Sequence, residues 1–135
     1  MQNTVQKAIK AVSDGAKAFC KFLSANDTGE TGGHQAGIYI AKPAILILFD
    51  KACERGTNCE RWVKIHWYDY KTIDTRFIYY GSKTRDEYRI TNFGKGFPFL
   101  KPEYTGALFV LVQSKASKED YEGFILNTED DLSLI

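Results

Sequence analysis

Residues 24–40 read SANDTGETGGHQAGIYI. The first half is built from turn formers and glycine, residues that favour tight turns and let a backbone lie close against another surface. A His34–Gln35 pair follows, and then Gly37-Ile38-Tyr39-Ile40-Ala41 alternates apolar and other residues as a half-buried strand does. An irregular polar segment mounted directly on a strand is the arrangement in which binding residues are carried on a rigid scaffold.

Outward from this junction the pattern is mostly that of strands. Upstream, Val5, Ile9, Val12, Ala16, Phe19 and Leu23 recur at spacings of three and four, which predicts one amphipathic helix over 3–24, weakened at Gly15 and ending near Ser24–Asp27. Downstream, Pro43 interrupts, and ILILF (45–49) reads as a short buried strand or helical turn. CERGTNCE (53–60) reads as a polar loop. RWVKIHWYDY (61–70) places Trp62, Lys64, His66 and Tyr68 on one face and Val63, Ile65, Trp67 and Asp69 on the other. Segments 74–81, 87–93, 107–113 and 121–126 are further strands, and the glycine- and proline-rich 94–106 is a loop. One helix with six or seven short strands implies a mainly β (α+β) single domain over 1–135, an antiparallel barrel or sandwich with a helix packed on it.

Composition narrows the function classes. A chain of 135 residues with 44% hydrophobic content can bury a core. It contains no apolar run long enough to span a membrane, and its start lacks the pattern of a secretory signal. Three cysteines, Cys20, Cys53 and Cys59, are too few and too irregularly spaced for a disulfide framework or a zinc knuckle, which places the expected location in the cytoplasm. Net charge is +1, but 61–95 carries 8 basic and 4 acidic groups while 96–135 carries 3 and 7. A polyanion would therefore be held at one local patch rather than coated indiscriminately.

That patch centres on residues 79–96, YYGSKTRDEYRITNFGKG, whose tip GSKTRDE has no apolar residue to bury. Phosphate binding alone needs only cations. Reading bases needs both kinds of group: Arg or Lys for guanine O6 and N7, Asp or Glu for the cytosine amino group. Arg85 beside Asp86 and Glu87 suits a G·C pair, and Gln35 and Asn92 suit adenine or phosphate. Ion pairing between Arg85 and Glu87 is the alternative explanation of this cluster.

The stretch SANDTGETGGHQAGIYI (24–40), followed by IYYGSKTRDEYRITNFGKG (78–96) and PEYTGAL (102–108), resembles the N-terminal effector domains of EcoRII-like type II restriction endonucleases. The resemblance implies a B3-like, seven-stranded DNA-binding pseudobarrel with an N-terminal helix. It implies two arms that clamp DNA in its major groove, an N-arm over 24–36 and a C-arm over 81–90. His34 and Tyr39 near the first, and Lys83, Arg85, Glu87 and Arg89 in the second, stand at the family's contact positions. Asp27, Thr28, Glu30, Thr31, Gln35, Ser82, Asp86, Tyr88, Asn92 and Lys95 complete the expected DNA-binding set. The family's site is CCWGG, a G·C-rich near-palindrome, and one domain is expected per double-stranded site. The chain is expected to be a recognition domain cut from a longer enzyme, needing no cofactor itself, with Mg2+ required only by a separate catalytic domain. Asp86 stands where EcoRII has a neutral amide, and Tyr88 and Asn92 where it has basic residues, so this C-arm is less cationic and Asp86 is in a position to alter the base read.

Other classes of function are weaker matches. Asp50 with Asp69-Tyr70-Lys71 loosely fits the carboxylate pattern of a Mg2+-dependent nuclease. GETGG lacks the Lys and the following helix of a phosphate-binding loop. Trp62, Trp67, Tyr68, Tyr79 and Tyr80 would serve a protein-interaction module, although on strands such residues belong to a core or barrel surface. His66 reads as structural and His34 as the functional histidine.

Overall fold

A computed structural model describes residues 4–28, 37–94 and 97–127. The elements are α1 (Thr4–Asp14), β1 (Lys17–Phe22), the single turn α2 (Ala25–Thr28), β2 (Ile38–Ile40), β3 (Cys59–Trp67), β4 (Thr72–Tyr80), β5 (Glu87–Thr91), β6 (Leu108–Gln113) and β7 (Asp120–Leu126). Short 3-10 turns cover Lys42–Ile47 and Pro102–Tyr104. The fold is mainly β: seven strands form one curled sheet in the order β1-β6-β7-β3-β4-β5-β2. Every neighbouring pair is antiparallel except β3 and β7, which run parallel.

The sheet curls until its two outer strands approach. Lys21 Nζ on β1 donates to the Tyr39 carbonyl on β2 at 2.8 Å, and Lys17 Nζ donates to the Leu46 carbonyl at 3.2 Å. One lysine thus bridges the two edge strands, and the other ties β1 to the 3-10 turn that follows β2. Inside the curl lie Leu23, Ile38, Ile40, Ile65, Phe77, Tyr79, Ile90, Phe109 and Leu111, all nearly inaccessible. At their centre the Tyr121 hydroxyl donates to the Ile47 carbonyl at 2.8 Å and accepts from Arg61 Nη1 at 3.0 Å and Gln113 Nε2 at 3.1 Å. Burial pushes the Tyr121 phenol above its ordinary pKa.

The N-terminal helix is shorter than its periodicity predicts. It stops at Asp14, and Lys17–Phe22 forms an edge strand on β6. Gly15 explains the change: a Cβ there would lie 2.2 Å from Val112 Cγ1, so only glycine lets the chain pass this close to the sheet. The Ala16 amide then bonds the Gln113 carbonyl at 2.8 Å and opens the ladder. The buried stripe is also displaced. Val5, Ala8 and Ala11 pack on Val110, Val112, Phe124 and Leu126, whereas Ile9 and Val12 stay exposed. Alanines let the helix sit close on the sheet, and this close fit outweighs the larger apolar residues one position away.

Elsewhere the strand expectations mostly hold, with β3 burying Val63, Ile65 and Trp67 and exposing Trp62, Lys64 and His66, but β3 ends at Trp67 and 68–70 form a turn in which Asp69 is exposed at a φ of 61°. ILILF falls mostly in the 3-10 turn, with Pro43 at its start, and Cys59 and Glu60 already belong to β3. The loop 94–106 is not merely a connection. Phe97 and Phe99 pack on Trp67 with ring centroids 4.9 and 5.9 Å away, extending the core beyond the sheet.

Candidate nucleic-acid interface

The β4–β5 hairpin carries the segment expected to form the C-arm. Its root is held by a residue outside the hairpin: Asn58 Oδ1 accepts from the Gly81 amide at 2.9 Å, the Ser82 amide at 3.2 Å and the Ser82 hydroxyl at 3.1 Å. The Gly56 amide reaches the Gly81 carbonyl at 2.7 Å, and the Arg85 amide closes the turn onto the Ser82 carbonyl at 3.1 Å. Lys83 takes a left-handed φ of 58° at the tip and is exposed.

On the outer face of this hairpin one carboxylate grips two guanidiniums. Glu87 Oε1 accepts from Arg85 Nε at 3.0 Å and from Arg85 Nη2, while Oε2 accepts from Arg89 Nε at 3.3 Å and Nη2 at 3.1 Å. Burial pushes the Glu87 carboxyl up, but the attraction of Arg85 and Arg89 outweighs it and leaves the group below its ordinary value. Arg89 Nη1 is buried and makes no hydrogen bond among the described residues. Tyr39 stands directly opposite Arg89 in the β2–β5 register, 41% exposed, with the Arg89 guanidinium 5.7 Å from its ring centroid. The pairing of Arg85 with Glu87 that sequence offered as the alternative explanation therefore forms, and it forms as part of a three-residue clamp.

Asp86 and Tyr88 take other roles. Asp86 Oδ2 is ion-paired with Lys42 Nζ at 2.5 Å, and its Oδ1 accepts from the Tyr79 hydroxyl at 2.7 Å. Lys42 and then Tyr79 hold the Asp86 carboxyl below the usual carboxylate range, while the bond to Asp86 pushes Tyr79 up to about 12. The carboxylate expected to read a base is thus occupied in tying the hairpin to the 3-10 turn behind β2. Tyr88 points inward because its β5 position alternates with Glu87 and Arg89: it is 3% exposed, stacks on Tyr79 at 4.6 Å, and accepts from the Cys53 amide at 2.9 Å. Asn92 is exposed at a left-handed φ of 66°, where the chain leaves β5.

Of the segment expected to form the N-arm, residues 24–28 are described. Ser24 and Asp27 cap α2 reciprocally: the Asp27 amide donates to Ser24 Oγ at 3.1 Å and the Ser24 amide to Asp27 Oδ2 at 3.0 Å. Asp27 also takes an ion pair from Lys21 at 2.7 Å and the Tyr39 amide at 3.1 Å, and is fully buried. Thr28 is 2% exposed, its hydroxyl 2.6 Å from that of Thr105. The expectation that Asp27 and Thr28 touch a ligand is therefore corrected: a buried carboxylate needs internal partners, and here they fasten the root of the arm to β1 and β2. Glu30, Thr31, His34, Gln35 and Lys95 lie outside the described residues.

The alternative pairing of Asp50 with Asp69 finds no support in the contacts of either residue, and GETGG (29–33) lies outside the described residues. Asp50 pairs with Lys118 at 3.8 Å near the start of β3, whereas Asp69 sits at a φ of 61° in the turn beyond its end. Among the described residues no three His, Cys, Asp or Glu side chains group as metal ligands. His66 bridges Thr72 Oγ1 at 2.7 Å and Asp120 Oδ1 at 3.0 Å. Lys21, Lys42 and Asn58, which set the arms, were not singled out by sequence, because nothing local marks a residue whose partner lies on another element.

No helix among the described residues is long and apolar enough to cross a membrane. The family described as "Restriction endonuclease EcoRII, N-terminal" matches residues 12–134. The chain is 39% identical over 112 residues to the type II restriction enzyme EcoRII of Escherichia coli, covering 78% of this chain and 27% of that enzyme. It thus spans about a quarter of the length of that curated relative. Among solved structures it is similar to the B3 domain of the UbaLAI restriction endonuclease, determined with cognate DNA, at a TM-score of 0.58 and 17% identity, covering 92% of this chain and 77% of that one. The curled seven-stranded sheet is accordingly a B3-like fold, and the chain belongs to the EcoRII N-terminal family.

Proposed function

We propose that this chain is a DNA-recognition effector domain of a type II restriction endonuclease, binding double-stranded DNA through two arms in the major groove. The observation that carries the proposal is the clamp on β5. Glu87 pairs with both Arg85, which is half exposed, and Arg89, which is largely covered, with Tyr39 opposite Arg89 on β2. Charge-assisted pairing fixes the Arg85 guanidinium by one edge and leaves its exposed donors for a base or phosphate. The family relationship favours a CCWGG-like site, and the unlike arms favour one copy of the domain per near-palindromic site. In this reading it acts in a microbial cytoplasm, binds without metal, and leaves cleavage to a catalytic domain elsewhere in its protein.

Titration of the chain against a randomised duplex library in chelator, followed by sequencing of the bound fraction, tests the reading. Enrichment of CCWGG or a related G·C-rich motif is the expected result, and an unenriched bound fraction would refute sequence-specific recognition. Incubation of CCWGG plasmid with the chain and excess Mg2+ should leave it uncut. Specific fragments that disappear in Asp69→Ala would instead make the chain a nuclease.

A further inference from the structure

Arg85 is fixed on two sides, and only one of them is Glu87. Its guanidinium carbon lies 3.8 Å from the ring centroid of Tyr80, the last residue of β4 and the direct cross-strand partner of Glu87. The Tyr80 hydroxyl accepts from Arg76 Nη2 at 3.4 Å. Arg76 in turn donates from Nε to Thr91 Oγ1 on β5 at 3.1 Å and from Nη1 to Glu60 on β3 at 3.4 Å. A platform anchored on three strands therefore lies beneath a side chain that is itself half exposed.

We infer that Tyr80 is a positioning residue for Arg85, presetting the guanidinium for base reading without touching DNA. The geometry separates the two restraints. Glu87 takes the edge formed by Nε and Nη2, and the ring fixes the plane. The edge between Nη1 and Nη2 is left, and two parallel N–H bonds from such an edge match guanine O6 and N7. An arginine on a hairpin tip otherwise loses several rotamers on binding, a cost that weakens affinity for the correct base. This inference rests on the reading of Arg85 as a base contact.

The test compares wild type, Tyr80→Phe, Tyr80→Leu, Arg85→Ala and the double variant Tyr80→Leu/Arg85→Ala in two measurements. The first is the ratio of Kd values for a short CCWGG duplex and the same duplex with one G·C pair replaced. The second is the 15N heteronuclear NOE of the Arg85 Nε–H group in the free chain. Tyr80→Phe keeps the ring and should preserve both. Tyr80→Leu should lower the ratio by about tenfold, the effect of leaving one long side chain unordered, leave binding to a scrambled duplex unchanged, mobilise Arg85, and add nothing to Arg85→Ala. A Tyr80→Leu chain with wild-type ratio and rigid Arg85 overturns the inference, as does an equal loss on every duplex with Arg85 still rigid. If wild type itself shows no preference among duplexes, the proposed function falls, and the Arg85 NOE still decides whether Tyr80 positions it.

Discussion

Asp27 Oδ1 accepts the backbone N–H of Tyr39 at 3.1 Å, joining the root of one expected arm to the strand that follows it. The same carboxylate caps α2 and pairs with Lys21, so the Lys21 ammonium and the Ser24 and Tyr39 amides converge on one buried side chain. Asp27→Asn keeps the shape but removes the charge opposite Lys21 and one acceptor. It should destabilise the fold by about 2 kcal/mol, as expected for a buried hydrogen-bonded charge losing its partner, read as a lower urea midpoint with unchanged slope. DNA affinity should fall with it. An unchanged midpoint would show that the network carries no net stability.

Base reading and phosphate contact separate by their dependence on sequence and salt. Arg85→Ala should cost about 1–3 kcal/mol on the cognate duplex and relax discrimination at one G·C pair. Lys83, exposed at the tip and without an ion pair among the described residues, should behave differently. Lys83→Ala should weaken all duplexes alike and reduce the salt slope by about one unit. Fluorescence anisotropy at several salt concentrations distinguishes them, and an equal loss from Arg85→Ala on cognate and scrambled DNA would remove its reading role.

The bond between Tyr79 and Asp86 has two titration windows of opposite sign. The Asp86 pKa is lowered in the fold, so its contribution is complete above the ordinary carboxylate pKa and is lost as pH falls through the lowered value. The Tyr79 pKa is raised to about 12, so its contribution is complete below the ordinary phenol value of about 10 and is lost as pH rises toward 12. Asp86→Asn should flatten stability between neutral pH and the acid limb. Absorbance titration at alkaline pH should show late-titrating tyrosines, Tyr79, Tyr88 and Tyr121 among them, and Tyr79→Phe should remove one late step. A Tyr79→Phe titration curve that keeps every late-titrating step would rule out this assignment.

Tyr121 offers a test of the core without touching either arm. Tyr121→Phe retains the ring but leaves the Ile47 carbonyl and the Gln113 amide without a shared partner inside the sheet. A loss of about 1–3 kcal/mol is expected for such stranded groups, measured by thermal unfolding, with the sequence preference for DNA unchanged. Loss of that preference at full stability would mean that the core network reaches the interface.

Much of this protein is legible in its residues alone. The alternation of β3 assigns faces because side-chain direction in a strand follows position, so Val63, Ile65 and Trp67 turn in while Trp62, Lys64 and His66 turn out. In β5 the same physics turns Tyr88 inward, against its expected place among the DNA contacts. The hairpin tip at 81–87 is legible as a segment with no apolar residue to bury. Tertiary structure decided the rest. It ended the helix at Asp14, next to Gly15, where the chain passes so close to Val112 that a side chain has no room, and it chose Ala8 and Ala11 over Ile9 and Val12 because close packing favours the smaller residues. It also turned Asp27 and Asp86 from apparent ligands into struts. Their partners, Tyr39 and Lys42, lie 12 and 44 residues away, and a charge pairs with whatever the fold brings within reach of its oxygens, which no local pattern records.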